Sequence, residues 1–218
     1  MEKVLTENSL EGEEKIRGVL LENGAEILAD RVIVATGGCS YQATGSTGDG
    51  YTFARETNHK VTELRPALVP IETKEEYVKD MQGLALKNVR FTVKDGKKVL
   101  YDDFGELLFT HFGISGPLVL TASSRIGKKL EKKELQAFLD LKAALSEEQL
   151  DGRLLREFEN GKNKQFKNVI TGMFPAKLYP VMLSLGGIPP EKKVNEITKE
   201  ERREFIQVIL SLIHISEP

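Results

Sequence analysis

A single cysteine, Cys39, and no tryptophan stand in this chain of 218 residues. One thiol excludes an internal disulfide framework and fits a reducing compartment. Histidine is scarce as well, with three copies. No metal-ligand spacing exists among them, and no serine, histidine and carboxylate constellation is signalled, so metal-dependent and triad hydrolysis are disfavoured. Charge of one sign is also missing: 31 basic residues face 33 acidic ones. That balance removes any global attraction to nucleic acid or acidic membrane. No apolar stretch of membrane-spanning length and no signal peptide is evident. The expectation is a cytoplasmic protein with a small-molecule substrate, no nucleic-acid or membrane partner, no metal, and an oligomeric state that the sequence does not reveal.

Two nucleotide fingerprints are absent too. The Gly-x-Gly-x-x-Gly turn occurs nowhere, and no glycine-rich loop ends in the Gly-Lys-Ser/Thr that would place a lysine on terminal phosphates. What the chain does contain is Val32–Tyr51, VIVATGGCSYQATGSTGDGY. An apolar run with a hydrophilic lead-in, Ala29-Asp30-Arg31, reads as a buried strand. The Ala35-Thr36-Gly37-Gly38 that follows has so little side-chain bulk that its backbone can lie against a flat ligand or a phosphate. Gly45-Ser46-Thr47-Gly48-Asp49-Gly50 comes next, before a helix expected over residues 48–57. Its free N–H groups and positive dipole end would point back toward the same place. Asp49 serves equally well as a ribose or loop hydrogen-bonding group and as a helix cap.

At this length the chain can bury about 70% of its unfolded surface, and 40% hydrophobic with 29% charged residues is an ordinary globular balance. Arg17–Leu21 and Ala25–Ala29 flank Glu22-Asn23-Gly24, a strong hairpin signal. His59–Glu63 alternates like a short strand, and Pro66 and Pro70 mark an extended crossover. Strands are expected at 86–94, 97–101, 106–112 and 134–141, with a turn at Asp95-Gly96; such spacing suggests a small barrel or sandwich. A helix is read at 118–126. The pairs Lys128-Lys129 and Lys132-Lys133, interrupted by Glu131, read as a solvated turn.

From Ser146 the period becomes helical. Ser146 and Gln149 have capping-box spacing, with Leu150, Leu154, Leu155 and Phe158 on one face. Further helices are expected from Phe166 to Gly172, from Pro175 to Gly186-Gly187, and after Thr198, with Glu201 three residues on. Among the remaining candidates, His111 in FTHFGISGP reads as a buried, hydrogen-bonded histidine, with proton donation to a substrate carbon as the functional alternative. His59 reads as a structural residue at a helix end, and Cys39 as a small packing residue.

Both ends look unusual. A hairpin followed at once by an apolar strand fits a segment lying well inside a dinucleotide-binding domain, downstream of a first strand and its phosphate-binding turn. At the other end, residues 210–218 back-translate naturally into a transposon-type sequencing adapter and read as an artefact. The chain is therefore expected to be the central fragment of a longer enzyme.

Together, ADRVIVATGG, ATGSTGDGY, LRPALVPIE, GELLFTHFGISGP, LDLKAALS and FPAKL resemble the BaiN/YhiN-like family of NAD(P)/FAD-dependent flavoproteins, over most of the chain from Leu21 to Phe205. The resemblance implies an α/β fold with an α+β insertion. Residues 1–64 would form a partial FAD-binding, Rossmann-like (two-dinucleotide-binding) unit, 65–145 a β-barrel-like part and 146–209 a helical part of an inserted domain. It implies an FAD-dependent oxidoreductase acting on a small organic substrate, with NAD(P)H as the possible electron donor and reduction of carbon–carbon double bonds in some members. Ala35, Thr36, Gly37 and Gly38 would approach the FAD, with Thr47, Gly48 and Asp49 nearby; no catalytic residue is identified. Asn58, Gln42 and Ala143 depart from the family pattern in ways expected to be tolerated. Without the phosphate-binding turn, the fragment is expected to hold FAD weakly or not at all and to be inactive by itself. A non-enzymatic binding module is the alternative, and a third reading, disfavoured by the neutral-to-acidic charge, is that the family's flavin fold serves a regulatory or RNA-modifying role.

Overall fold

The computed structural model describes residues 1–8 and 14–212. They divide into two compact units, Met1–Leu64 and Arg65–Pro218, the second described as far as residue 212. Residues 213–218, most of the stretch read as an adapter, lie outside the described residues.

In the first unit, β1 (Lys3–Asn8), β2 (Glu14–Leu20) and β3 (Glu26–Leu28) form an antiparallel sheet in that order. The β2–β3 turn follows from its residues: Asn23 Oδ1 accepts the Ala25 N–H at 3.1 Å, and Gly24 adopts φ 80°. α1 (Asp49–Glu56) is the unit's one described α-helix. Just past its end, Asn58 adopts φ 62°, its N–H donates to Arg55 O, and its Nδ2 donates to Glu14 Oε2 at 2.7 Å. Asparagine visits this left-handed region because its short polar side chain bonds locally, so it can stand where glycine is usual.

Two expectations for this unit fail. Val32–Thr36 forms no strand, and Ile33 is 93% exposed. An apolar run becomes a central strand only when neighbouring strands satisfy its N–H and C=O groups. No described strand pairs with it, so residues 1–64 do not by themselves make a Rossmann-like sheet. His59–Glu63 is likewise irregular rather than a strand.

The second unit is built on a five-stranded antiparallel sheet, mixed with helices. Its strands are β4 (Ile71–Glu72), β5 (Ala85–Asp95), β6 (Lys98–Phe109), β7 (Gly113–Ser115) and β8 (Gln136–Asp140), in the order β4-β7-β6-β5-β8. α2 (Tyr77–Asp80) precedes β5, and α3 (Pro117–Leu130) follows β7. Register shifts between Leu86 and Val89 and between Val93 and Lys94 help curl the sheet. One face is apolar: Val89, Phe91, Val93, Leu107, Phe109, Ala137 and Leu139 are almost fully buried, together with Val119, Ala122 and Ile126 of α3.

β6 is one long strand where two were expected. Asp102 and Asp103 look like a break in the sequence, but on the exposed face Asp102 is held by its cross-strand neighbours. Arg90 donates to it twice, at 2.9 and 2.6 Å, and the Thr92 hydroxyl once at 2.7 Å. α3 likewise runs past its expected end and takes in Lys128 and Lys129, where cations suit the negative end of the helix dipole. Lys129 and Lys133 both pair with Asp95 at the β5–β6 turn, so these lysines do more than solvate a turn. The crossover 64–70 is not uniformly extended: Leu68 adopts φ 56°, and the neighbouring Val69 N–H is fastened to Ser123 Oγ at 3.0 Å.

The helical part comprises α4 (Glu147–Asn160), α5 (Phe166–Ile170), α6 (Tyr179–Leu185) and α7 (Lys199–Leu210). Both expected capping boxes form, Ser146 with Gln149 and Thr198 with Glu201. Leu150, Leu154 and Phe158 are buried, whereas Leu155 is 44% exposed. α6 begins at Tyr179, with Pro180 rather than Pro175 in its first turn. Phe205 anchors the packing, edge-on to Phe166 at 5.1 Å and to Phe174 at 6.2 Å. Sheet and helices share one core, joined by the Leu141 N–H to Ile209 O and the Leu212 N–H to Leu139 O. No helix among the described residues is long and apolar enough to cross a membrane.

Candidate functional site

The two glycine clusters, distant by up to fifteen positions in the sequence, meet within the first unit. A 3-10 turn, Gln42–Thr44, with Tyr41 at φ 57° and Gly45 at φ 93°, folds the intervening chain back on itself. Gln42 opens this turn, a position that proline also suits. Thr36, Gly37, Gly38 and Cys39 are thereby laid against Ser46, Gly48, Gly50 and Tyr51.

Hypothetical methyl groups measure how close the approach is. At Gly50, a Cβ would stand 2.8 Å from Thr36 Oγ1 and 3.2 Å from Val34 Cγ1. At Gly37, which has φ 74°, it would stand 2.7 Å from Ser46 Oγ, and at Gly48 2.9 Å from Cys39 Sγ. At Gly38 it would only touch the Tyr51 hydroxyl, at 3.5 Å. A side chain at 37, 48 or 50 would have to displace Ser46 Oγ, Cys39 Sγ or Thr36 Oγ1, and Gly37 and Gly48 adopt positive φ besides, so glycine at these positions lets the loops lie this close.

The contact leaves two features unsatisfied by the chain itself. Thr36 Oγ1 is buried and has no hydrogen-bond partner among the described residues. The N-cap of α1 is Gly48, at φ 88°, with no side-chain hydrogen bond, so Asp49 is the first helical residue and not the cap. Ala35, Gly37, Thr47 and Asp49 remain exposed, Thr36 and Gly38 are half-buried and Gly48 is buried. A buried hydroxyl without a partner, beside a helix N-terminus with no capping side chain, fits a polar or anionic group lying across Ala35–Gly38 and Thr47–Asp49. An apolar cleft of about 340 Å³ adjoins the contact, lined by Val4, Ile16, Val32, Val34, Gly50 and Phe53 among others.

Sequence reasoning overlooked Ser46 and Tyr51, which close the contact from the second loop. Their signal was weak, since Tyr51 reads as an ordinary residue of the first helical turn. His59 does close α1: its N–H donates to Ala54 O, and its Nδ1 lies 3.1 Å from Thr57 Oγ1. Cys39 is exposed as a residue although its sulfur abuts Gly48.

His111 lies elsewhere, in the second unit. It is exposed at the tip of a tight turn in which the Thr110 N–H donates to Gly113 O and the Gly113 N–H to Thr110 Oγ1. It is not the buried, hydrogen-bonded histidine expected from its apolar neighbours, because the strand ends before it. The surrounding glycines serve close backbone pairing: a Cβ on Gly113 would fall 2.1 Å from Ile71 O. Among the described residues no group of three metal-ligating side chains comes together.

Comparison with known proteins adds three findings. Residues 65–213 match the family described as "HI0933-like protein barrel and H2TH domain". The 3-dehydro-bile acid delta(4,6)-reductase of Clostridium scindens is 30% identical over 190 residues, 87% of this chain and 46% of that protein. The ribosomal RNA dihydrouridine synthase of Haemophilus influenzae is 29% identical over 202 residues, 92% of this chain and 47% of that protein; its Escherichia coli counterpart is 28% identical over 188 residues. The chain thus spans about half the length of the curated relatives it matches.

Proposed function

The chain belongs to the HI0933-like family, a flavoprotein oxidoreductase family, and from that membership we propose that it is the central part of an FAD-dependent reductase. Ala35, Thr36, Gly37, Gly38, Thr47, Gly48 and Asp49 would supply one wall of the flavin site. The observation that carries this reading is the Thr36 hydroxyl, buried without a partner among the described residues where the two glycine loops meet. When bound, the flavin supplies the electron-transfer chemistry; the chain's own part is to hold it and keep water away. Thr36 would donate to an acceptor on the cofactor, and the exposed backbone at Ala35, Gly37, Thr47 and Asp49 would lie along it.

The relatives' names narrow the reaction. A delta(4,6)-reductase of a 3-dehydro bile acid saturates carbon–carbon bonds conjugated to a ketone, and a dihydrouridine synthase saturates one conjugated to a ring carbonyl. We therefore propose reduction of an electron-poor carbon–carbon double bond in a small organic substrate, with NAD(P)H as donor. Uridine within RNA is the second reading, favoured by two of the three named relatives.

The test is to express the complete reading frame that contains this sequence and measure flavin content, then NAD(P)H oxidation with a conjugated steroid ketone and with uridine-containing RNA. Stoichiometric flavin and turnover on one of the two are expected. A pure, folded protein that takes up no flavin refutes the assignment.

A further inference from the structure

One side chain between the two glycine loops takes no part in joining them. Tyr41 opens the turn Gln42–Thr44 and adopts φ 57° and ψ 53°, a left-handed conformation that a bulky residue rarely enters. The turn fixes it there. The Tyr41 carbonyl accepts twice, from the Thr44 N–H at 2.8 Å and from Thr44 Oγ1 at 2.7 Å, and the Gly45 N–H donates to Gln42 O at 3.0 Å. Backbone held in a sparsely populated region by such bonds is a feature of ligand clamps.

The fold makes no use of the ring. Tyr41 is 86% exposed, more than any other described tyrosine or phenylalanine. Its hydroxyl has no hydrogen bond and its ring no ring contact among the described residues. One exposed apolar side chain is ordinary. An exposed ring on a strained backbone is not, because glycine would fill the position without strain.

Placement supplies the third observation. Tyr41 stands two residues from Cys39, at most about 7 Å along the chain, and the Cys39 sulfur abuts Gly48 at the start of α1. The residue thus stands at the rim of the loop contact in which the Thr36 hydroxyl is buried without a partner among the described residues. The other tyrosine of this unit, Tyr51, is half-buried against Gly38. An exposed aromatic face at the rim of such a contact suits a flat heteroaromatic ring.

We propose that Tyr41 is a cofactor-stacking residue, whose ring lies against a flat ring of the nucleotide held by the glycine loops. This rests on the flavin reading of the same site. The flat ring can be the isoalloxazine or the adenine of FAD, and the two leave different signatures. A phenol stacked on isoalloxazine quenches its emission by passing an electron to the excited ring and taking it back, which a phenyl ring does not do.

The experiment titrates FAD into the complete gene product and into its Tyr41→Phe and Tyr41→Gly variants, following affinity and the emission of bound flavin, with ADP as a competitor. Tyr41→Gly should weaken FAD about ten-fold without lowering the melting temperature of the flavin-free protein, since glycine accepts φ 57° freely. Tyr41→Phe should keep the affinity. A several-fold rise of emission in Tyr41→Phe assigns the contact to the isoalloxazine. Unchanged emission, together with ADP competing about ten-fold less well in Tyr41→Gly, assigns it to the adenine. If Tyr41→Gly binds FAD like the parent, or if neither emission nor ADP competition moves, the proposal is overturned while the flavin reading stands. A parent that takes up no flavin overturns both.

Discussion

Replacing Thr36 by valine tests the cofactor wall with two readouts that move in opposite directions. Valine matches threonine in shape and exchanges the hydroxyl for a methyl, so the contact with Gly50 is kept. In the flavin-free chain, Thr36 Oγ1 is buried without a partner among the described residues, a condition that costs about 1–3 kcal/mol. Removing it should stabilise the flavin-free protein by about that amount. For a chain of this length each kcal/mol raises Tm by about 2–4 °C. If the hydroxyl donates to the cofactor, the same change deletes one hydrogen bond worth about 0.5–1.5 kcal/mol, a loss of about 2- to 13-fold in flavin affinity. Thermal unfolding without flavin, and fluorescence titration of FAD into the complete gene product, measure the two effects, with Thr36→Ser as the control that keeps the hydroxyl. A valine variant that melts lower than the parent, or that binds flavin unchanged, refutes the reasoning.

Three further outcomes follow from the second unit. Phe205→Ala removes the ring that Phe166 and Phe174 pack against and should cost about 3–5 kcal/mol in urea unfolding. Thr198→Ala breaks the capping box of α7, and a loss of about 0.5–2 kcal/mol is expected, readable as a lower denaturation midpoint at unchanged m-value. Arg90 holds the Asp102 carboxyl at about 2 in the folded chain, below its unfolded value of about 3.9. Its contribution to stability is therefore complete above the unfolded value and lost as pH falls through the folded one. Asp102→Asn should flatten the acid limb of the stability profile between about pH 4 and pH 2, and a carboxyl NMR titration of Asp102 with an ordinary midpoint would overturn this.

The legible parts of the fold share a cause: their signals are local. The Asn23-Gly24 turn, the two capping boxes and the β5 alternation are each decided by interactions within a few residues, so spacing suffices to find them. The illegible parts depend on neighbours far away in the chain. β4 and β7 are too short to show a period, and β7 exists because Gly113 admits the Ile71 carbonyl. The Asp102-Asp103 pair falls in a gap between two expected strands until Arg90 and Thr92 are placed across from Asp102. Val32–Thr36 misleads in the opposite sense, for its composition suits a central strand and nothing described lies beside it.

The candidate site divides in the same way. From residue types alone came the location of both glycine loops, the helix that begins after them and the family resemblance, because small residues and Asn-Gly or Ser-x-x-Gln spacings act through the backbone where they stand. Only the folded chain decided that Gly37, Gly48 and Gly50 stand against Ser46, Cys39 and Thr36, and that Thr36 keeps a hydroxyl unmatched among the described residues. Such facts arise from which surfaces exclude water from each other, and that is set by long-range packing rather than by neighbours in sequence.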